Sequence, residues 1–324
     1  MAELPRRVLH IMNGAAGGAA LSTIGLIEEL QRTHGIEACV LCHDAGTKVE
    51  KERLIDVAGG RALFAPLYMW NKQIRAASWK RPLIEVKQLL RTGATGWSSH
   101  HAADIVRKHQ VDLVHTNTIL TLEGAITARR FRLGHVWHLR EMVGQGAPFR
   151  LPIEGPLLGR LLEAHASVVV ANSEASAARV RNWLPKGLLA VVDNGLDLSG
   201  FQFVPPPARA HRPLVVAMVG SLTSRWKQHR VFVDAMALVR RDRPLVFRIY
   251  GHGPEDDPYV QDIVGAAQRA GIVLELAGFV SDPTAIMRDV DILVHPAKNE
   301  SFGRIVVEAW AAGVPFVGVS SGGV

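Results

Sequence analysis

The stretch from Asp291 to Gly313 holds the most chemistry for its length. Glu300 and Glu308 stand eight residues apart, with Phe302, Gly303, Arg304 and Ile305 between them. The pattern predicts a strand ending near His295 and Pro296, then a helix from about Phe302 to Ala312. Gly313 fits the helix stop, with Pro315 just beyond. Glu300 then sits just before the helix and Glu308 about two turns in, among Val306, Val307, Ala309 and Trp310. A carboxylate on so apolar a face must be paired or must bind a ligand, because burying it alone is costly. Arg304, four residues earlier, offers an internal ion pair. Ligand hydroxyls are the alternative. Backbone amides of Ser301, Phe302 and Gly303 at the helix start suit phosphate or sugar oxygens.

Glycine-rich turns recur where strands are expected to end. Asn13 to Gly18 reads G-x-x-G-G, not the G-x-G-x-x-G of dinucleotide sites. Asp44 could imitate the ribose carboxylate of such a site, but the turn does not fit it. A tight turn without a ligand stays open. Gly220-Ser221-Leu222, Gly251-His252-Gly253-Pro254 and Ser320 to Gly323 repeat the device later in the chain. Ligands of parallel sheets bind outside the carboxyl ends of the strands. Another such end carries Trp137-His138-Leu139-Arg140-Glu141. Arg140 and Glu141 either position a ligand or pair with each other at the surface. Cys39 and Cys42, three apart in a strand, should point to opposite faces as two buried thiols rather than a redox or metal pair.

The elements that position these residues alternate short β-branched runs with helix-length segments, the signature of a parallel α/β sheet. Strands are expected at Arg7–Met12, Ala38–Cys42, Leu113–His115, Val136–Leu139, Val168–Ala171 and Leu189–Val192. Pro205-Pro206-Pro207 then breaks the pattern. It restarts with strands at Leu214–Val219, Val246–Tyr250, Val273–Leu276, Ile292–Val294 and Phe316–Val319. The expected fold is α/β, with two Rossmann-like domains: residues 1–204, a linker at 205–212, and residues 213–324. Ser320 to Gly323 reads as a turn opening a further helix, so the second domain is expected to be incomplete.

Composition narrows the classes. The 324 residues are 48% hydrophobic and 21% charged, with a net charge of +7. This is globular rather than disordered composition. No apolar run approaches the ~20 residues of a membrane span, and no signal-peptide pattern opens the chain. A cytoplasmic setting is the expectation. Residues 1–200 carry 24 basic and 18 acidic side chains, net +6, so the anion-seeking surface belongs mostly to the first domain.

The ordered series of motifs resembles retaining glycosyltransferase family 4 (glycosyl transferases group 1), with the GT-B fold, nearly throughout the chain. Glu300 and Glu308 around Phe302-Gly303-Arg304 resemble its E-x7-E signature. Gly17-Gly18, Val111 to His115, Ala171 to Glu174, Asp193 to Asp197, Gly220 to Lys227, Gly251 to Pro254 and Gly278-Phe279-Val280 follow in the family's order. The resemblance implies two domains facing across a cleft and transfer of a sugar from a nucleotide diphosphate to an acceptor hydroxyl with retention, in glycan or glycolipid synthesis. By the same resemblance, Glu308 holds the donor ribose and Glu300 the donor sugar hydroxyls. Amides around Phe302, Gly303, Arg304 and Ile305 bind sugar and diphosphate. Lys227 neutralises the leaving group, Phe279 and Val280 meet the base, and Gly17 and Gly18 approach the diphosphate. His138 faces the reacting centre, unless it is a packed structural histidine. The family places an arginine after the glycine of the first turn of the second domain. Ser221 stands there in this chain, and Arg225 is the candidate substitute. No D-x-D or ligand cluster points to a metal, so no cofactor is expected beyond the donor itself. The competing readings are a non-catalytic nucleotide-sugar-binding fragment and a sugar-nucleotide epimerase.

One basic segment stands apart. Residues 70–91 hold Lys72, Arg75, Lys80, Arg81, Lys87 and Arg91 against Glu85, with Trp70 and Trp79 interleaved. As a helix, Trp79, Leu83, Val86 and Leu90 would form one apolar stripe beside the cations. That pattern suits an anionic lipid surface, or a core-facing stripe with a solvated basic face. No nucleic-acid motif accompanies it.

Overall fold

A computed structural model describes residues 4–71, 95–96, 98–144, 146–203, 212–240 and 244–324. The chain divides into two compact units, Met1–Leu196 and Asp197–Val324. All but the last residue of the expected linker, and most of the basic segment, lie outside the described residues.

The first unit alternates β1 (Arg7–Met12), α1 (Gly17–His34), β2 (Glu37–His43), α2 (Lys48–Val57) and β3 (Ala62–Ala65). A helix over 98–109 (α3) follows, then β4 (Leu113–Thr116), α4 (Glu123–Phe131), β5 (Gly134–Leu139), α5 (Pro156–His165), β6 (Val168–Ala171), α6 (Glu174–Ala178) and β7 (Leu189–Val191). The strands form a parallel sheet in the order β3-β2-β1-β4-β5-β6-β7. Helices cover both faces of such a sheet, so central strands such as Val8 to Met12 are apolar almost without interruption. Cys39 packs with Leu9, Ile11 and Leu41, and Cys42 with Met12, Ala38 and Val40. They therefore lie on opposite faces of β2, as free buried thiols. Helix ends follow local chemistry. Thr47 and Glu50 form a capping box at the start of α2, and Gly35 closes α1 in the left-handed conformation. Trp70 is buried in the core, and its indole N–H donates to the Ile119 carbonyl at 2.6 Å. It therefore does not belong to a surface segment.

The second unit runs β8 (Leu214–Val219), α7 (His229–Ala237), β9 (Leu245–Tyr250), α8 (Pro258–Arg269), β10 (Leu274–Gly278), α9 (Pro283–Asp289), β11 (Ile292–His295), α10 (Arg304–Ala311) and β12 (Phe316–Gly318). Its parallel sheet has the order β10-β9-β8-β11-β12. α8 and α9 both open with Asp-Pro. The aspartates Asp257 and Asp282 accept from the amides of Tyr259 and Thr284, and proline occupies the first helical position. Asp291 accepts from the Val215 amide at 2.8 Å and from Arg212 at 2.9 Å, which fastens β11 to the start of β8.

Both units are thus Rossmann-like, as the sequence pattern implies. Two local expectations change. β3 is an added strand, too short and too weakly alternating to stand out. α10 begins at Arg304 rather than Phe302, because Gly303 takes a left-handed conformation (φ 79°) that ends the preceding loop.

Candidate active site

In the second unit the carboxyl ends of β8, β9, β10 and β11 bring the expected donor residues to one edge of the sheet. A short 3-10 turn, Arg225–Lys227, follows β8. Lys227 reaches across to Glu300, with Nζ 2.7 Å from Oε2. His295, the last residue of β11, brings Nε2 to 3.2 Å from the same oxygen. The Ser301 amide donates to the other oxygen at 3.3 Å. Burial alone would raise the Glu300 carboxyl, but the hydrogen bond from His295 and the charge of Lys227 hold it down at about 2. Glu300 is therefore an ionised, buried acceptor, and so weak a base that it suits holding hydroxyls rather than abstracting protons.

Glu308 lies one turn into α10, nearer its start than the sequence suggests, because the helix starts at Arg304. It is buried, and Arg304 Nε donates to it at 2.7 Å. The internal ion pair is therefore formed. Burial nonetheless pushes the Glu308 carboxyl up, against the pull of Arg304.

The remaining donor candidates take distinct positions. The Arg225 guanidinium lies over the Tyr259 ring, 5.0 Å from its centroid. That direction is its own and is not shared with Lys227, whose Nζ stands 4.3 Å from the centroid of Trp226. Ser221 Oγ bonds with Thr223 Oγ1 at 2.9 Å. Phe279, just past β10, is half exposed and meets His252 edge-on, with ring centroids 6.2 Å apart. Val280 packs partly buried against the core. Phe302 and Ile305 flank the α10 start, where Gly303 has no side-chain cap.

Two features of this site escaped sequence reasoning. His295 is fully buried and bonded to Glu300. Its place at a strand end, five residues before a site carboxylate, was the available signal. Ser321 to Gly323 pair with the loop that carries Glu300. Gly322 bridges to Glu300, the Gly323 amide donates to the Glu300 carbonyl at 2.8 Å, and Ser321 Oγ accepts from the Asn299 amide at 3.0 Å. A Cβ on Gly322 would lie 2.1 Å from that carbonyl, so only glycine permits the contact.

In the first unit, parallel register places His10 of β1 opposite His115 of β4. His138 of β5 stacks on His115, with its Nδ1 3.3 Å from His115 Nε2. All three rings are buried. Burial and the Arg140 charge lower His10 to about 3 and His138 to about 2, and burial, then His10, depress His115 as well, so the rings are neutral. His138 Nε2 has no partner among the described residues. Arg140 and Glu141 do not pair at the surface. Arg140 is buried and donates to Asn194 at 2.6 Å and Asn117 at 3.3 Å. Glu141 accepts from Thr118 at 2.5 Å and from the Ile119 amide at 3.1 Å. Beside them a pocket of about 110 Å³ is lined by Asn13, Gly14, Ala16, Thr23, Asn117 and Glu141. Gly17 and Gly18 are the first residues of α1, which has no side-chain cap. Asp44 is engaged with Lys51 at 2.5 Å. Among the described residues no cluster of three or more His, Cys, Asp or Glu is placed to hold a metal ion.

Comparison with known proteins gives consistent matches. Residues 16–199 match the sequence model described as Glycosyltransferase Family 4, and residues 213–324 match that described as Glycosyl transferases group 1. A curated relative, D-inositol 3-phosphate glycosyltransferase of Segniliparus rotundus, is 27% identical over 259 residues, covering 76% of this chain and 52% of its own length. A second of the same name, from Streptomyces avermitilis, is 28% identical over 253 residues, covering 70% and 53%. The chain thus spans about half the length of the curated relatives it matches. Among solved structures, Anabaena Alr3699/HepE in complex with UDP and glucose superposes with a TM-score of 0.72 at 23% identity, covering 98% of this chain and 82% of that one.

Proposed function

Because the chain belongs to glycosyltransferase family 4, with the GT-B fold, we propose that it moves a sugar from a nucleotide-diphosphate donor to an acceptor hydroxyl with retention. The observation that carries this reading is the meeting of Lys227 and Glu300 at the carboxyl edge of the second sheet, 2.7 Å apart. A cation and an ionised acceptor side by side match the two ends of a nucleotide sugar. Lys227 would take the negative charge of the departing diphosphate, an electrostatic role that grows as the bond breaks. Glu300 would accept hydrogen bonds from the sugar hydroxyls. Glu308 would accept from the ribose, and the uncapped amides at Gly303 to Ile305 would meet sugar and phosphate oxygens. Phe279 and Val280, with His252 beside Phe279, would border the base. Gly17 and Gly18 at the start of α1 would approach the diphosphate from the first unit, and Arg225 would contribute charge only after leaving Tyr259.

Retention is inferred from the family resemblance, with same-face attack assisted by the leaving phosphate. The weak basicity of Glu300 supports a binding rather than a nucleophilic role. His138 is assigned to the reacting centre on the same resemblance, and its unpartnered Nε2 supports that role. The acceptor would be a glycan or lipid-linked polyol, for which Asn13, Thr23, Asn117 and Glu141 offer hydrogen bonds. A cytoplasmic enzyme working at an anionic membrane surface accords with the basic first 200 residues. No helix among the described residues is long and apolar enough to cross a membrane.

The test is a panel of UDP-, GDP- and dTDP-sugars scored by thermal shift and by release of nucleoside diphosphate. At least one donor should raise the melting temperature and turn over, since ligand at ~100 times its Kd adds about 2.7 kcal/mol. No shift and no turnover with any donor would count against the reading.

A further inference from the structure

Glu300 receives two donors on one oxygen, and the two differ in kind. Lys227 stands on the turn after β8 and has a flexible four-carbon stem. His295 is the terminal residue of β11 and is wholly buried. A neutral imidazole has one N–H and one lone pair. With a carboxylate at 3.2 Å from Nε2, the proton belongs on Nε2. Nδ1 has no partner among the described residues. The Nε2–H bond to Glu300 is what the histidine provides.

A bound donor changes the demand on this bond. A Lys227 ammonium that turns toward a diphosphate divides its charge and its three N–H donors between the phosphates and Glu300. As the lysine turns to the phosphates, the buried carboxylate loses much of its charged neighbour, and beside the incoming sugar hydroxyls the protein donors left to it among the described residues are the Ser301 amide and His295; a buried charge is costly to leave unpositioned and under-partnered. We propose that His295 is a positioning residue of the donor-sugar site, its Nε2–H holding the Glu300 carboxylate in place when the donor diphosphate draws Lys227 away. This inference rests on the donor reading above.

Glutamine and asparagine at position 295 separate the bond from the packing. Glutamine places an amide N–H near the position of Nε2, and asparagine places one near Nδ1. With the panel donor that turns over, His295→Gln should stay within about threefold of the parent, and His295→Asn should lose about tenfold or more in kcat/KM. The acid limb of the asparagine variant's profile should move to higher pH, because Glu300 loses a bond that favours its ionised form, leaving Lys227 as the charged neighbour. Equal effects of the two variants, or no shift of the limb, would overturn the proposal. Glu300→Gln is the control: if it too behaves as the parent, the donor reading fails rather than the role of His295. Should the asparagine variant not fold, 15N imidazole spectra of the unaltered protein give the answer, with His295 assigned by its absence in His295→Gln. A ring carrying a proton on Nε2, with and without UDP, is expected. Protonation on Nδ1 would overturn the proposal.

Discussion

At the scale of single residues, the account depends on charges held where water is scarce. Glu300 stays ionised in a buried place because His295 and Lys227 both face it. Lys227→Ala should therefore lower kcat/KM by about 10²- to 10³-fold, the range seen when one preorganised electrostatic partner of a leaving group or oxyanion is removed. Glu300→Gln should weaken donor binding while leaving the fold intact, measured as donor KM against melting temperature. The first unit carries a different electrostatic load. His10, His115 and His138 are neutral because burial and Arg140 disfavour their charged forms. Between the unfolded value near 6.5 and the folded values, about 3 for His10, about 2 for His138 and lowered likewise for His115, the unfolded chain binds more protons. Stability should consequently fall as pH drops below about 6.5 and go on falling towards pH 3. Melting temperatures from pH 8 to pH 4 check the sign, and His10→Gln should flatten the slope, with buried His135 and His229 keeping part of it. Little of this was legible beforehand. His138 is singled out through the family resemblance, but its partners His10 and His115 lie 128 and 23 residues away along the chain and meet it only through sheet register.

At the scale of elements, strand ends and glycine turns place the chemistry. The strands were legible because buried parallel strands are short apolar runs with turn residues after them. The start of α10 was misplaced by two residues because the left-handed Gly303 looks like any glycine in sequence. The pairing of the turn after β12 was not legible for a related reason. Ser320 to Gly323 has the composition of a helix-opening phosphate turn, yet its partner is the Glu300 backbone, and pairing between segments some twenty residues apart has no local signal. That contact yields a prediction. Gly322→Ala adds a Cβ 2.1 Å from the Glu300 carbonyl, at a φ of 75° that alanine resists. A cost of about 1–3 kcal/mol is expected, together with a raised donor KM, because the loop carrying Glu300 must move. Gly271→Ala, also at positive φ (62°) but with nothing within 4 Å of the added carbon, should cost stability without touching KM.

At the scale of the whole molecule, two parallel sheets and an uneven charge frame the function. The first 200 residues carry net +6 of the total +7, which favours an anionic acceptor or surface. Flotation with vesicles containing anionic lipid should show binding that falls as salt rises, because the Debye length shortens from about 10 Å at 0.1 M to about 3 Å at 1 M. Equal, negligible flotation with neutral and anionic vesicles would confine the basic excess to solubility. The most direct test of the central claim is the anomeric configuration of the product, read by NMR from a reaction with the panel donor that turns over and an acceptor that takes the sugar. The account predicts that the new glycosidic bond keeps the donor's configuration and that Lys227→Ala and Glu300→Gln make far less of it. An inverted product, or undiminished transfer by both variants, would contradict it.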